Sequence, residues 1–82
     1  MDIKTLHKLF LDSDGICTDT RKIKRKQLFF ALKGENFNGN HYADEALKKG
    51  ALKAIVDEKQ DKMSGKIKVS NTLKTLHHLA TF

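Results

Sequence analysis

The chain has 82 residues, 39% hydrophobic and 32% charged, with 16 Lys and Arg against 10 Asp and Glu for a net charge of +6. That length allows one small domain with a modest core, and the apolar and charged shares exclude a disordered chain. No apolar run approaches the roughly 20 residues of a membrane-spanning helix, and the first residues lack the apolar stretch of a signal peptide.

The single cysteine, Cys17, excludes an internal disulfide and fits a reducing compartment, so the cytoplasm is the expected location. The positive balance favours anionic partners without saying which, and a lysine-rich solvated surface explains it equally well.

In chain order, residues 2–11 predict a helix capped by Asp2, with Ile3, Leu6, Leu9 and Phe10 on one face. Ser13, Asp14 and Gly15 form a turn, and residues 16–19 a short strand entering a polar loop. A basic stretch, residues 21–26, precedes the most apolar run, residues 28–32, which suits a strand covered on both faces. Residues 33–40, with two glycines and three asparagines, read as a loop.

A second helix follows to Lys49, with Tyr42, Ala43, Ala46 and Leu47 on one face and Gly50 as its C-terminal cap. Residues 54–56 and 67–69 are further short strands. Ser70 or Asn71 opens a last helix whose apolar face is Leu73, Leu76, Leu79 and Ala80. The expected fold is a small layered α/β domain, with a mixed sheet of four or five short strands and three helices.

Two clusters offer ligand chemistry. Thr18, Asp19, Thr20 and Arg21 place two hydroxyls, a carboxylate and a guanidinium at a strand end. The same residues also make a self-satisfied turn in which Asp19 pairs with Arg21. The loop Gly34, Glu35, Asn36, Phe37, Asn38 and Gly39 offers close backbone approach, polar edges and an aromatic face. It is neither a Walker loop, lacking Gly-Lys-Thr, nor a dinucleotide fingerprint.

The basic stretch supports a small nucleic-acid-binding module as the alternative function, although its neighbours Phe29 and Phe30 belong to a run expected to be buried. His7, His41, His77 and His78 show no metal-ligand spacing, and Cys17 has no base near it in sequence. No catalytic set is visible.

These residues carry a resemblance. Thr18 to Ile23, the Leu28-Phe29-Phe30-Ala31-Leu32-Lys33-Gly34-Glu35-Asn36-Phe37-Asn38-Gly39 string and the helix ending at Lys49-Gly50-Ala51 resemble the N-terminal domain of MurE and MurF ligases, with wording closer to MurF. The resemblance covers nearly all of residues 1–82.

It implies a domain that holds the UDP part of UDP-N-acetylmuramoyl-tripeptide, within an enzyme of peptidoglycan synthesis. There, ATP with Mg²⁺ phosphorylates the substrate carboxylate, and D-alanyl-D-alanine attacks the acyl phosphate. By the same resemblance Thr18, Thr20, Arg21, Glu35, Asn36 and Phe37 bind the nucleotide, while Asp19, Gly34, Asn38 and Gly39 shape the loops. The central ATP-binding and C-terminal domains are absent from these residues, so the chain alone is expected to be inactive. No resident cofactor or metal, no nucleic acid and no membrane partner are expected. One departure stands out: many members have Pro-Gly-Asp before the Leu-Phe strand, where this chain has Arg25, Lys26 and Gln27.

Overall fold

The computed structural model describes residues 3–81. Asp2, the expected first cap, lies outside them. Helix α1 spans Ile3–Asp12, followed by strand β1, Ile16–Cys17, and strand β2, Leu28–Phe30. A 3-10 turn over Gly39–Tyr42 leads into helix α2, Ala43–Lys48. Strands β3, Lys53–Val56, and β4, Lys66–Lys68, precede helix α3, Thr72–Thr81.

The strands form one sheet in the order β1-β2-β3-β4, and every neighbouring pair is parallel. A mixed sheet was expected, but the only antiparallel pairing described is a single bridge between Lys33 and Asn38 inside a loop. The parallel arrangement follows from the layers. Leu28, Phe30 and Ile55 face α1 and α3 through Leu6 and Leu79, whereas Phe29, Ala31, Ala54 and Val56 face α2 through Ala43 and Ala46. A sheet covered on both sides requires strands apolar on both sides, and the continuous run in β2 supplies that.

Local signals account for the helix ends. Asn71 accepts a hydrogen bond from the Lys74 backbone at 2.9 Å and so caps α3. Gly50 closes α2 at φ 106°, where a side chain is strained. The second helix starts as a 3-10 turn because Asn38 accepts from the Asn40 backbone at 3.0 Å.

The apolar face expected of α3 needs correction. Leu73 is 50% exposed and Ala80 is exposed, while Thr72 is buried with Leu79 and Leu76 is half-buried. Thr72, Leu76 and Leu79 lie four and three residues apart, on the stripe that meets the sheet, and Leu73 is one step around from it.

Because all four strands run the same way, the segments that follow them emerge at one edge of the sheet. Residues 18–21, the loop at 31–38 and the pair Asp57-Glu58 gather at this carboxyl edge.

Candidate functional site

Thr18, Asp19, Thr20 and Arg21 leave β1 as a tight turn in which the Lys22 backbone donates to the Asp19 carbonyl at 3.0 Å. The Asp19 carboxylate accepts from the Arg21 backbone at 2.9 Å and from its guanidinium at 2.9 and 3.1 Å. These bonds from Arg21 hold the Asp19 carboxyl down to about 2, and Asp19 in turn raises Arg21. Lys49, from the end of α2, donates to the Thr20 carbonyl at 2.9 Å and lies 4.0 Å from Glu45.

The second loop is fastened from below. Asn40 is buried; its side-chain oxygen accepts from the Asp57 and Glu58 backbones at 2.9 and 3.2 Å, and its amide donates to Asn38 and Asp57 at 2.9 Å each. Asn38 also donates to Glu58 at 3.0 Å, and Lys33 bridges to Glu58 at 2.6 Å. Burial pushes the Asp57 carboxyl up, but hydrogen bonds from Thr72 and Asn40 outweigh it and leave Asp57 lowered. Glu58 is lowered by Lys33 and then Asn38, and Lys33 is raised by Glu58. Gly39 permits the close passage: a Cβ there would stand 2.8 Å from the Leu32 nitrogen. Gly34, by contrast, has open space around it.

The two segments meet. Thr18, Asp19, Thr20 and Arg21 line one cleft of about 520 Å³ together with Phe37, Tyr42 and Glu45. Glu35 and Asn36 line an adjoining recess of about 330 Å³ with Gly34, Asn38 and His41, and Phe37 and Tyr42 border both spaces. The Phe37 and Tyr42 rings are stacked, with centroids 5.3 Å apart and planes 9° from parallel. They are 46% and 40% exposed, which leaves ring surface open to the cleft.

Sequence reasoning missed Tyr42 and Glu45 as lining residues. The helical period puts Tyr42 on one face with Ala43, Ala46 and Leu47, yet it falls in the 3-10 turn, where that period does not apply. The one available signal was a second aromatic five residues after Phe37. The network of Asn40, Asp57 and Glu58 was also missed, because it joins residues 17 and 18 positions apart.

Three cations at the carboxyl edge are engaged: Arg21 with Asp19, Lys33 with Glu58, and Lys49 with Thr20. The cleft therefore presents hydroxyls, aromatic faces and carboxylate acceptors more than free positive charge. It suits a neutral, flat, hydrogen-bonding group. Phe29 and Phe30 are fully buried, so the basic stretch has no stacking rings of its own. Among the described residues no group of three or more His, Cys, Asp or Glu is placed to hold a metal ion. No helix there is long and apolar enough to cross a membrane.

Residues 12–81 match the family described as "Mur ligase family, catalytic domain". The chain is 42% identical over 81 residues to the UDP-N-acetylmuramoyl-tripeptide–D-alanyl-D-alanine ligase of Buchnera aphidicola, covering 95% of this chain and 17% of that protein. It is 43% identical over 61 residues to the UDP-N-acetylmuramoyl-L-alanyl-D-glutamate–2,6-diaminopimelate ligase of Fusobacterium nucleatum, covering 72% of this chain and 13% of that one. The MurF ligase of Thermotoga maritima, solved in complex with ADP, superimposes with a TM-score of 0.78 at 28% identity, over 87% of this chain and 16% of that chain. The chain thus spans under a fifth of the length of each of these relatives.

Proposed function

The chain belongs to the Mur ligase family, and from that premise we propose that its 82 residues are the N-terminal, nucleotide-holding unit of a ligase of the MurF type. The unit takes the uridine end of UDP-N-acetylmuramoyl-tripeptide. The whole enzyme joins D-alanyl-D-alanine to that substrate in the cytoplasm, at the expense of ATP and through an acyl phosphate. MurF is favoured over MurE by the length of the match to the Buchnera protein and by the Thermotoga fold.

The observation that carries this reading is the single cleft shared by the threonine turn and the Phe37–Tyr42 stack. A uracil ring lies flat on the exposed aromatic faces, Thr18 and Thr20 offer hydroxyls to its carbonyls or to ribose, and Glu45 accepts from its N–H. Arg21 keeps the turn in shape through Asp19 and leaves its remaining donors for the ligand. Glu35 and Asn36 are reached where the ligand extends past the stack into the adjoining recess.

The described residues do not supply a place for ATP or Mg²⁺. The chain has no Gly-Lys-Thr loop, and no carboxylates are clustered for a metal ion among the described residues. Those groups belong to the remainder of the ligase, and no chemical step is assigned to this chain.

A nuclear magnetic resonance titration tests the reading. UDP is expected to shift the amides of residues 18–21, Phe37, Tyr42 and Glu45. Uridine is expected to bind within a few-fold of UDP, because most of the proposed contacts are to the base and ribose. Phe37→Ala should weaken UDP about tenfold, from the loss of about 1–3 kcal/mol of ring–base stacking, without changing the melting temperature. Shifts confined to residues 24–26, or no response to UDP, would remove the proposal.

A further inference from the structure

We propose that the amino-terminal edge of the sheet, opposite the cleft, docks on an anionic phospholipid surface. Two loops meet at that edge. Lys26 donates its backbone N–H to the Gly50 carbonyl at 2.8 Å, and Leu52 donates to the Gln27 carbonyl at 2.8 Å. Arg25 is packed so closely on Gly50 that a Cβ on that glycine would lie 2.9 Å from the Arg25 Cγ. The contact gathers Lys24, Arg25 and Lys26 beside Lys48 and Lys53. The first four are exposed and Lys53 is half-buried. Neither residues 22–28 nor residues 46–53 contain an acid. Acids flank the patch on two sides: Asp14, whose backbone donates to the Lys26 carbonyl at 2.9 Å, and Asp44 and Asp61, which share a recess with Lys48.

Lys26 adds an independent observation. Its φ is 67°, the one non-glycine residue with positive φ among those described. Glycine fits that conformation without strain, whereas the Cβ of a lysine is crowded there. This chain keeps a cation there at a conformational cost, and such strain points to use.

Long lysine side chains on two adjoining loops suit a diffuse plane of lipid phosphates. Single-stranded nucleic acid is a poorer match, because Phe29 and Phe30 beneath the basic stretch are fully buried and the exposed ring pair lies at the opposite edge. Seated in this way, the chain keeps its cleft turned to solvent. The proposal revises the expectation of no membrane partner, which rested on the lack of a spanning segment; surface contact needs none.

Co-sedimentation of the 82-residue chain with phosphatidylglycerol–phosphatidylcholine vesicles, against phosphatidylcholine alone, tests this at low and physiological salt. Binding should require the anionic lipid and weaken as salt rises. Lys26→Gly should reduce affinity about fivefold, the effect of one surface cation, while raising the melting temperature. Lys24→Glu with Arg25→Glu should abolish binding, whereas Lys4→Glu with Lys8→Glu, the same charge change on α1, should leave most of it. Equal binding to neutral vesicles, or equal loss in the α1 variant, would overturn the proposal. So would unchanged affinity in Lys26→Gly, or displacement by duplex DNA at matched phosphate concentration.

Discussion

Gly39 and Gly34 sit five residues apart in the same loop, yet physical demand falls on only one of them. A Cβ on Gly39 would stand 2.8 Å from the Leu32 nitrogen and 2.9 Å from the Ala31 Cα, both backbone atoms that cannot step aside. Gly39→Ala should therefore destabilise the fold by about 1–3 kcal/mol, as overpacking does in a tight interior. Gly34→Ala, with nothing within 4 Å, should leave the melting temperature unchanged. A denaturant series on the two variants separates them, and equal effects would contradict the packing seen around Gly39. Both glycines were legible in the sequence as loop formers. Which of them the fold needs was not, because the crowding at Gly39 comes from Ala31 and Leu32, the residues just after β2.

At the scale of elements, Asn40 locks the Phe37 loop to the end of β3. Its side chain satisfies the Asp57 and Glu58 backbone N–H groups and bonds the Asp57 carboxylate, which in turn accepts from the first residue of α3, Thr72, at 3.1 Å. One buried amide thus ties the second strand's loop, the third strand and the last helix. Asn40→Ala strands several buried polar groups and should cost about 2–4 kcal/mol. For a domain of this size that lowers the melting temperature by about 10 °C or more. The same variant should loosen the Phe37–Tyr42 stack and weaken UDP binding, whereas a loop held by its own turns would melt at the wild-type temperature. The existence of all three helices and all four strands was readable from periodicity, apolar runs and β-branched residues. The 3-10 start of α2 and the rotated face of α3 were not, since Asn38 capping and docking against the sheet decide them.

Over the whole molecule, four carboxylates share one electrostatic tendency. Asp19, Asp44, Asp57 and Glu58 are all lowered: a hydrogen bond from Arg21 holds Asp19 down, one from Lys66 holds Asp44 down and one from Lys33 holds Glu58 down, while in Asp57 hydrogen bonds overcome burial. A carboxyl lowered in the fold stabilises it above the ordinary value, 3.8 for Asp and 4.5 for Glu, and that stabilisation is lost as pH falls toward the folded value. Melting temperature should be level near neutrality and fall progressively below the ordinary carboxylate range. Several of these pairs are exposed, so added salt should shrink the effect. A melting temperature that rose on acidification through that range would contradict the ion-pair assignments. Lys66 is the exception to exposure: its Nζ bonds Asp44 at 2.8 Å and Gln60 at 3.0 Å from a nearly buried side chain, pinning β4 to α2.

The order of residues alone determined the α/β class, the helices and the four strands, the two polar clusters and the family likeness. Each rests on interactions within a few positions: apolar spacing, caps, turn formers and short motifs. Tertiary structure decided that all the strands run parallel, and hence that the threonine turn and the phenylalanine loop emerge at the same edge. It also brought Tyr42 and Glu45 into the cleft beside them and placed Glu35 and Asn36 in the adjoining space. Strand direction and side-chain convergence depend on contacts between residues far apart in the chain, and no local pattern encodes those distances.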